Sequence, residues 1–517
     1  MSQHLKANDF NYLSPIDLPK QARSKPAPEQ TPGPFPHVIF VNFEKPDKVR
    51  NSPEKRRYYF RFPLTNKSFF HILLKESRGK GERIVTYRII TLGCKVNQYE
   101  SEAISEALKD ASFAPAADDA PADAYIINTC TVTGESDRKA RQMIRRARAE
   151  NPDAFILVTG CFSQTQAETA AEIEGVDYIC GTRNKMEIVR QMKFLSSKGV
   201  KNDKPSVEIP DLKNAGFEPM KIRSFGRTRA YIKIEDGCNH FCTYCAIPYA
   251  RGPVRSKEPE KVLSEIEELV GTGCPEIVLT GIETGSYGQD LKNMDLGKLL
   301  LLADQVPGIG RIRLGSLDPR AMTPDFVKIL SQMRHISDHF HLSLQSGSDE
   351  VLKRMHRFYT AEEAACAMDR VRKIMPEVLF TTDIITGFPG ETDEMFAQTA
   401  EFIKAHPFLH IHIFPYSQRK QTKAAKYPDQ VPVRIRRERA ALLASIQAEC
   451  VKELLSPMLG STHEVLFETV ENGIASGHTS NFIEVKMKTD KDVRGLTLPV
   501  RFISLDGEII HAEQKGQ

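Results

Sequence analysis

The sequence predicts an α/β protein in three folded parts, on three observations. Apolar runs of strand length alternate with helical stretches in two successive series, over 85–197 and 226–455. The stretch 456–515 changes to short strands punctuated by Gly and Asn, and cysteines recur at the C-terminal ends of strands in the first two series. The first series implies an open α/β layer of βαβ units, the second a partial parallel (βα)6 barrel, and the third a small all-β barrel.

Composition bounds the reading. A chain of 517 residues has room for about three domains. With 40% hydrophobic and 27% charged residues it reads as globular. No apolar run approaches the ~18 residues that would span a bilayer. The start, MSQHLKANDFNYLSPIDLPK, has no apolar signal core. No membrane role and a cytoplasmic location are therefore expected. Lys and Arg number 71 against 67 Asp and Glu, so any surface for nucleic acid must be local. Ten cysteines without an export signal point to metal ligands, catalytic groups or small core residues rather than a disulfide framework.

Residues 1–84 are rich in Pro and charge around 23–36 and 45–57 and lack a sustained period, which predicts disorder. Four Phe and two Tyr within 58–74 leave room for a short ordered piece. A natural start at Val85 is one expectation, because Gly81-Glu82 can be encoded as the purine-rich GGAGAG and GTG can initiate; a genuine appended tail is the other. The first series then reads YRIITL, NQYESEAISEAL, AYIIN, ARQMIRRA, FILVTG, QAETAAEI and NKMEIVRQMKFL, followed by a polar linker over 198–225. The second supplies strands AYIKIE, EIVLTG, RIRLGS, HFHLSL, LFTTDII and HIHIFP, whose C-terminal ends should carry the active site. A basic helix, VRIRRERAALLASIQAECVKELL, leads to the strands HEVLFETV, GIASGHTS, FIEVKMK and LTLPVRFISL.

The strongest chemical signal is CNHFCTYC, which places Cys238, Cys242 and Cys245 just after the first barrel strand. Three thiolates on one tight loop can hold three irons of a [4Fe-4S] cluster and leave the fourth open for a substrate-like ligand. A zinc loop or chance clustering of core cysteines are the bland alternatives. A second set, Cys94 in TLGCKVNQ, Cys130 in INTCTV and Cys161 in VTGCFS, falls at three predicted strand ends. In an open α/β sheet those ends face one crevice, so three separate cysteines can converge there.

The cysteine loop in its βα setting resembles the radical S-adenosylmethionine (SAM) superfamily. The segments LGCKVNQYESE, INTCTVT, EDGCNHFCTYCAIPYARGPVRS, LQSGSDEVLKRMHR and TDIITGFPGET extend the resemblance to the methylthiotransferases, over about 87–512. Within them they look like the branch acting on N6-threonylcarbamoyladenosine at position 37 of tRNA. The resemblance implies two [4Fe-4S] clusters: an auxiliary one on Cys94, Cys130 and Cys161 that delivers sulfur, and a radical one on Cys238, Cys242 and Cys245 that cleaves SAM. One SAM would serve as methyl donor and another as radical source, since carbon 2 of adenine is an unactivated C–H position that a cofactor must attack. No catalytic residue beyond the clusters is needed.

Candidates for the SAM cradle are Gly281, Glu283, Ser316 and Gln345 at strand ends, with ordinary strand-to-helix turns as the alternative. GIETG and SLD depart there from the family pattern, which often has His or Asn at the Glu283 position and SIE at 316–318. His240, between the cluster cysteines, is expected to face solvent or SAM. Cys180, Cys274, Cys366 and Cys450 have no partners at ligand spacing and read as small residues.

The terminal barrel resembles the TRAM module, an RNA-binding fold. Lys486, Lys488, Arg494 and Arg501 are its candidate phosphate contacts, Asn481 and Phe482 its candidate base or sugar contacts, and the basic helix at 434–439 a possible extension. Implied partners are the tRNA anticodon loop, an electron donor such as flavodoxin or ferredoxin, and a sulfur source. The rivals are methylthiotransferases for isopentenyladenosine or for a ribosomal-protein aspartate. A non-catalytic iron-sulfur protein is the reading from a different class.

Overall fold

The computed structural model describes residues 84–198, 204–213 and 216–514. The expectations for the first 83 residues lie outside them. Six parallel strands form the N-terminal sheet in the order β2-β1-β3-β4-β5-β6: β1 (Thr86–Thr91), β2 (Ala114–Pro115), β3 (Ala124–Thr129), β4 (Phe155–Gly160), β5 (Tyr178–Cys180) and β6 (Ser206–Glu208). The run AYIINT of β3 is buried throughout, because a parallel strand between two helical layers has no wet face. Its alternate residues divide accordingly. Tyr125 and Ile127 pack with Ile144 and Ala147 of the helix Gly134–Glu150, whereas Ala124 and Ile126 pack with Ile104 and Leu108 of the helix Lys95–Asp110.

Strand β6 comes from the segment read as a linker. The same segment gives Met220 and Ile222 to the central core, and Glu106 accepts backbone N–H groups from Arg223 and Ser224. Tyr99 likewise leaves the N-terminal domain to join the central core, donating to the Met220 carbonyl at 2.8 Å. The first two folded parts therefore share packing rather than hang on a tether.

The six expected barrel strands are present and parallel: β7 (Arg229–Lys233), β10 (Glu276–Thr280), β11 (Arg311–Leu314), β13 (His339–Gln345), β14 (Leu379–Thr386) and β15 (His410–Pro415). The run RIRLGSL is split at Gly315. Its first part, β11, pairs with β10, and its second, β12 (Ser316–Leu317), pairs with β13. A Cβ at Gly315 would lie 2.9 Å from Thr284 Oγ1, so only glycine lets the run change sheets there. The barrel stays open between β7 and β15. A short antiparallel ladder, β8 (Glu235–Asp236) with β9 (Arg255–Ser256), braces the base of the cysteine loop.

Five strands close the terminal barrel in the order β16-β17-β18-β20-β19: β16 (Thr462–Glu471), β17 (Ile474–Thr479), β18 (Glu484–Lys488), β19 (Thr497–Asp506) and β20 (Ile509–Gln514). Asn481 and Phe482 are engaged within the protein. The Phe482 ring stacks 4.7 Å from His339 and 4.6 Å from His478, with the Arg313 guanidinium 4.8 Å away, and Asn481 donates to the Glu377 carbonyl at 3.1 Å. Both residues fasten the terminal barrel to the lower end of the central one. Phe482→Ala is expected to cost about 2–3 kcal/mol, lowering the melting temperature and exposing 456–461 to limited proteolysis.

The basic helix also departs from its sequence reading. Within Val433–Leu455, Arg436 donates to the Val431 and Tyr416 carbonyls and Arg439 pairs with Glu391 and Asp393, so both are buried. Arg434 alone of these three remains exposed. No described helix is long and apolar enough to cross a membrane.

Candidate active site between two cysteine sets

The first cysteine set forms as the strand ends require. Cys94 immediately precedes the helix Lys95–Asp110, Cys130 follows β3, and Cys161 opens the short helix Cys161–Thr165 after β4. Because β1, β3 and β4 are neighbours, their three ends are adjacent. A Cβ at Gly93, where φ is +100°, would stand 2.8 Å from Cys130 Cβ, so the loop carrying Cys94 lies directly against Cys130. Asn97 holds this corner by donating to the Leu92 and Thr129 carbonyls at 2.7 and 3.1 Å. Burial, with Cys161 and Cys94 nearby, pushes the Cys130 thiol up to about 12. A bound cation reverses such a shift.

The second set sits on the loop above β8. Gly237 has φ +94° and a Cβ there would meet the Pro253 carbonyl oxygen at 2.0 Å, while Phe241 adopts φ +49° between the cysteines. That strain keeps the loop tight, with Cys238, Cys242 and Cys245 within electrostatic reach of one another. The Ile247 N–H donates to Cys245 Sγ at 3.4 Å and Arg357 Nη1 donates to Cys242 Sγ at 3.5 Å. Arg357 also donates to the Ser343 carbonyl and pairs with Asp318 at 3.1 Å. Burial, with Cys242 beside it, pushes Cys245 up to about 12. In neither set do the three sulfurs lie within 4.8 Å of one another among the described residues. A single tetrahedral zinc with bonds of about 2.3 Å needs a tighter set, whereas a cluster gives each thiolate its own iron.

The two sets lie near each other. Cys161 lies within electrostatic reach of Cys245, and between the two domains runs a buried ionic network that the sequence reading did not find. Arg251, fully buried, donates to Glu100 Oε1 and Asp236 Oδ1 at 2.9 Å each and to Asn97 Oδ1 at 2.6 Å, and it lies within electrostatic reach of Cys161. Lys233 pairs with Glu100 at 2.8 Å, Lys185 pairs with it as well, and Arg255 stands 3.6 Å from Asp236. Two carboxylates thus face four cations. Burial, the larger effect, raises the Cys161 thiol, and Arg251 and Lys185 beside it oppose that rise.

The chain matches the family model described as Radical SAM superfamily over 232–403, and the one described as Uncharacterized protein family UPF0004 over 86–181. It is 40% identical over 428 residues to the threonylcarbamoyladenosine tRNA methylthiotransferase MtaB of Bacillus subtilis, covering 81% of this chain and 94% of that one. The chain belongs to the radical SAM methylthiotransferase family. The Thermotoga maritima MtaB is 37% identical, over 82% of this chain and 96% of that one. The tRNA-2-methylthio-N(6)-dimethylallyladenosine synthase of Carboxydothermus hydrogenoformans is 34% identical, over 83% and 98%. As a radical SAM methylthiotransferase the protein uses SAM and a [4Fe-4S] cluster.

The residues around the second set fit SAM. Glu235 Oε2 accepts the N–H groups of Ile282 and Glu283 at 2.8 and 2.9 Å, while its Oε1 and Thr284 Oγ1 are buried without a partner among the described residues. An amino group bound there would satisfy them. Gly281 serves this closure, since a Cβ would strike Glu235 Oε2 at 2.6 Å. Glu283 accepts the Asp318 N–H at 2.9 Å, and burial beside the Asp318 carboxylate pushes it up to about 7. These two carboxylates, which depart from the family pattern, form one cationic-ligand wall with His240, all three offering atoms within 4.8 Å. Ser316 bonds Ser343 at 2.6 Å, and Gln345 holds φ +73° at an irregularity in the β13–β14 ladder. All four residues read as SAM candidates line the upper end of the barrel.

On the terminal barrel, Lys486 and Lys488 point outward from β18 and Arg501 from β19, with β20 between the two strands. Arg494 bonds Asp492 in its own turn, and Arg501 has Glu513 at 3.9 Å. Of the remaining cysteines, Cys180, Cys274 and Cys450 are buried and Cys366 is exposed. Arg251 and Arg357, missed as functional residues, lie inside segments the sequence comparison already contained, YARG and MHR. Arg419 is another: from the loop after β15 it donates to Thr131 and Asp137, beside Cys130.

Proposed function

We propose that the protein transfers a methylthio group to carbon 2 of N6-threonylcarbamoyladenosine at position 37 of tRNA, using one [4Fe-4S] cluster on Cys238, Cys242 and Cys245 and a second on Cys94, Cys130 and Cys161. The observation that carries this reading is the proximity of the two cysteine sets, Cys161 lying within electrostatic reach of both Cys245 and Arg251. When bound, the clusters and SAM supply the sulfur and the one-electron chemistry that an aromatic C–H position requires.

The chain's own residues orient these parts and exclude water. Arg357 holds Cys242 Sγ with one nitrogen and Asp318 with another, tying the cysteine loop to the wall of the SAM site. Glu235, Glu283 and Asp318 place carboxylates where SAM brings cationic groups. Tyr359 donates to the Ser343 and Leu344 carbonyls and closes the back of the site. Lys486, Lys488, Arg494 and Arg501 bind tRNA phosphates on the terminal barrel. A flavodoxin or ferredoxin supplies electrons, and the reaction takes place in the cytoplasm.

Mass spectrometry of nucleosides tests this after anaerobic incubation of reconstituted enzyme with SAM, reductant, sulfide and tRNA bearing threonylcarbamoyladenosine. A 2-methylthio derivative of that nucleoside is the expected result. Its absence, with product on isopentenyladenosine tRNA or on a ribosomal protein, would overturn the substrate assignment while keeping the chemistry.

A further inference from the structure

Below the cysteine loop the inner face of the central barrel carries polar side chains that the reaction so far does not use. His341 Nε2 lies 3.3 Å from Asp383 Oδ2, Asp383 stands opposite His412 in the β14–β15 register, and the three offer atoms within 4.8 Å of one another. Their strand neighbours Phe340, Leu342, Phe380, Ile384 and Ile411 fill the apolar core, so by strand alternation this set faces the barrel interior. Side-chain exposures of 16% for His341 and 26% for Asp383 keep it open to a ligand.

Lys95 enters the same space from the N-terminal domain. Its ammonium is within electrostatic reach of Asp383 and His412, and it has no hydrogen-bonded or ion-paired partner among the described residues. The Arg and Glu side chains beyond it are already matched, Arg313 with Glu276 and Arg229 with Glu468. The placement relative to the chemistry is direct. Lys95 follows Cys94 in the chain, and His341 lies two residues, about 7 Å, along β13 from Ser343, whose carbonyl accepts from the same Arg357 that touches Cys242.

We propose that Lys95, His341, Asp383 and His412 form the subsite for the N6 substituent of the target adenosine, Lys95 pairing with its carboxylate and the other three with its hydroxyl and urea groups. This rests on the reading of the substrate as threonylcarbamoyladenosine. That substituent carries one carboxylate, one hydroxyl and a urea N–H, which match one cation, one carboxylate and two imidazoles. A hydrocarbon chain at the same nitrogen would bury all four side chains unpaired, which is how a polar site rejects an apolar analogue.

The test uses the enzyme with its clusters reconstituted and two anticodon stem-loop RNAs. One bears threonylcarbamoyladenosine, and in the other the threonyl carboxylate is converted to a neutral methylamide. Binding is read by fluorescence anisotropy and product by nucleoside mass spectrometry. The wild type is expected to favour the acid about tenfold to hundredfold, the worth of one charge-assisted hydrogen bond. Lys95→Met should erase that preference with iron and sulfide content unchanged. His412→Gln and Asp383→Asn should weaken both RNAs by about tenfold with iron content unchanged. The proposal fails if Lys95→Met keeps the preference, or weakens both RNAs equally. It also fails if the wild type retains one zinc per chain that His412→Gln loses, since a metal would then occupy the set. A wild type that modifies neither RNA but does modify an isopentenyladenosine stem-loop defeats the substrate reading instead, a separate outcome.

Discussion

Replacing Arg251 with methionine is expected to destabilise the protein by about 3–5 kcal/mol and to deplete iron from the first cysteine set. The side chain is fully buried, bonds Glu100, Asp236 and Asn97, groups from both domains, and lies within electrostatic reach of Cys161. Methionine fills most of its volume, so the loss is electrostatic rather than a cavity. Glu100 keeps Lys185 and Lys233, but Asp236 loses its nearest cation and is left with Lys233 at 3.4 Å and Arg255 at 3.6 Å. A buried carboxylate in that state costs several kcal/mol, because the interior cannot replace the water it gave up. Thermal unfolding should show a drop of about 5–10 °C. Adding Glu100→Gln should cost less than the sum of the two single changes, since both act on one network. Strict additivity would mean that Arg251 acts by packing alone.

Much of this architecture was legible in the chain because local pattern dictates it. The period-2 and period-3.6 apolar patterns delivered both α/β series and the closed terminal barrel, and the strand-end position of Cys94, Cys130 and Cys161 delivered their convergence, since neighbouring parallel strands end on one edge. What pattern could not deliver is long-range polar pairing. Arg251 and Glu100 are separated by 151 positions and Arg419 and Thr131 by 288, and nothing in the residues between them marks the pairing. The internal contacts of Asn481 and Phe482 are of the same long-range kind. An aromatic ring near lysines on a small β-barrel reads as a stacking platform for bases, but this one is held by His339 and Arg313, more than a hundred residues earlier in the chain. Nor does composition show which residues of a polar stretch with scattered Pro and Gly are packed: Met220 and Ile222, within 198–225, reach the central core.

Cys242→Ala and Cys161→Ala are expected to give opposite partial reactions, and this is the largest effect on activity that the geometry predicts. Each set lies in its own sheet system, with Cys242 on a loop braced by β8 and β9 and Cys161 at the end of β4, so loss of either should leave the other assembled. Each variant should bind about four fewer irons than the wild type. Cys242→Ala should abolish cleavage of SAM to 5′-deoxyadenosine, because Arg357 ties Cys242 to Asp318, whose N–H Glu283 accepts, and these carboxylates are the proposed SAM wall. Cys161→Ala should retain SAM cleavage and yield no methylthio nucleoside. The contact between the sets sharpens the test: Cys161 lies within electrostatic reach of Cys245, so its removal should alter the electron paramagnetic resonance spectrum of the remaining reduced cluster without erasing it. Loss of SAM cleavage in both variants, with the remaining iron present, would mean that the two sets act as one unit, and the division of labour between them would fall.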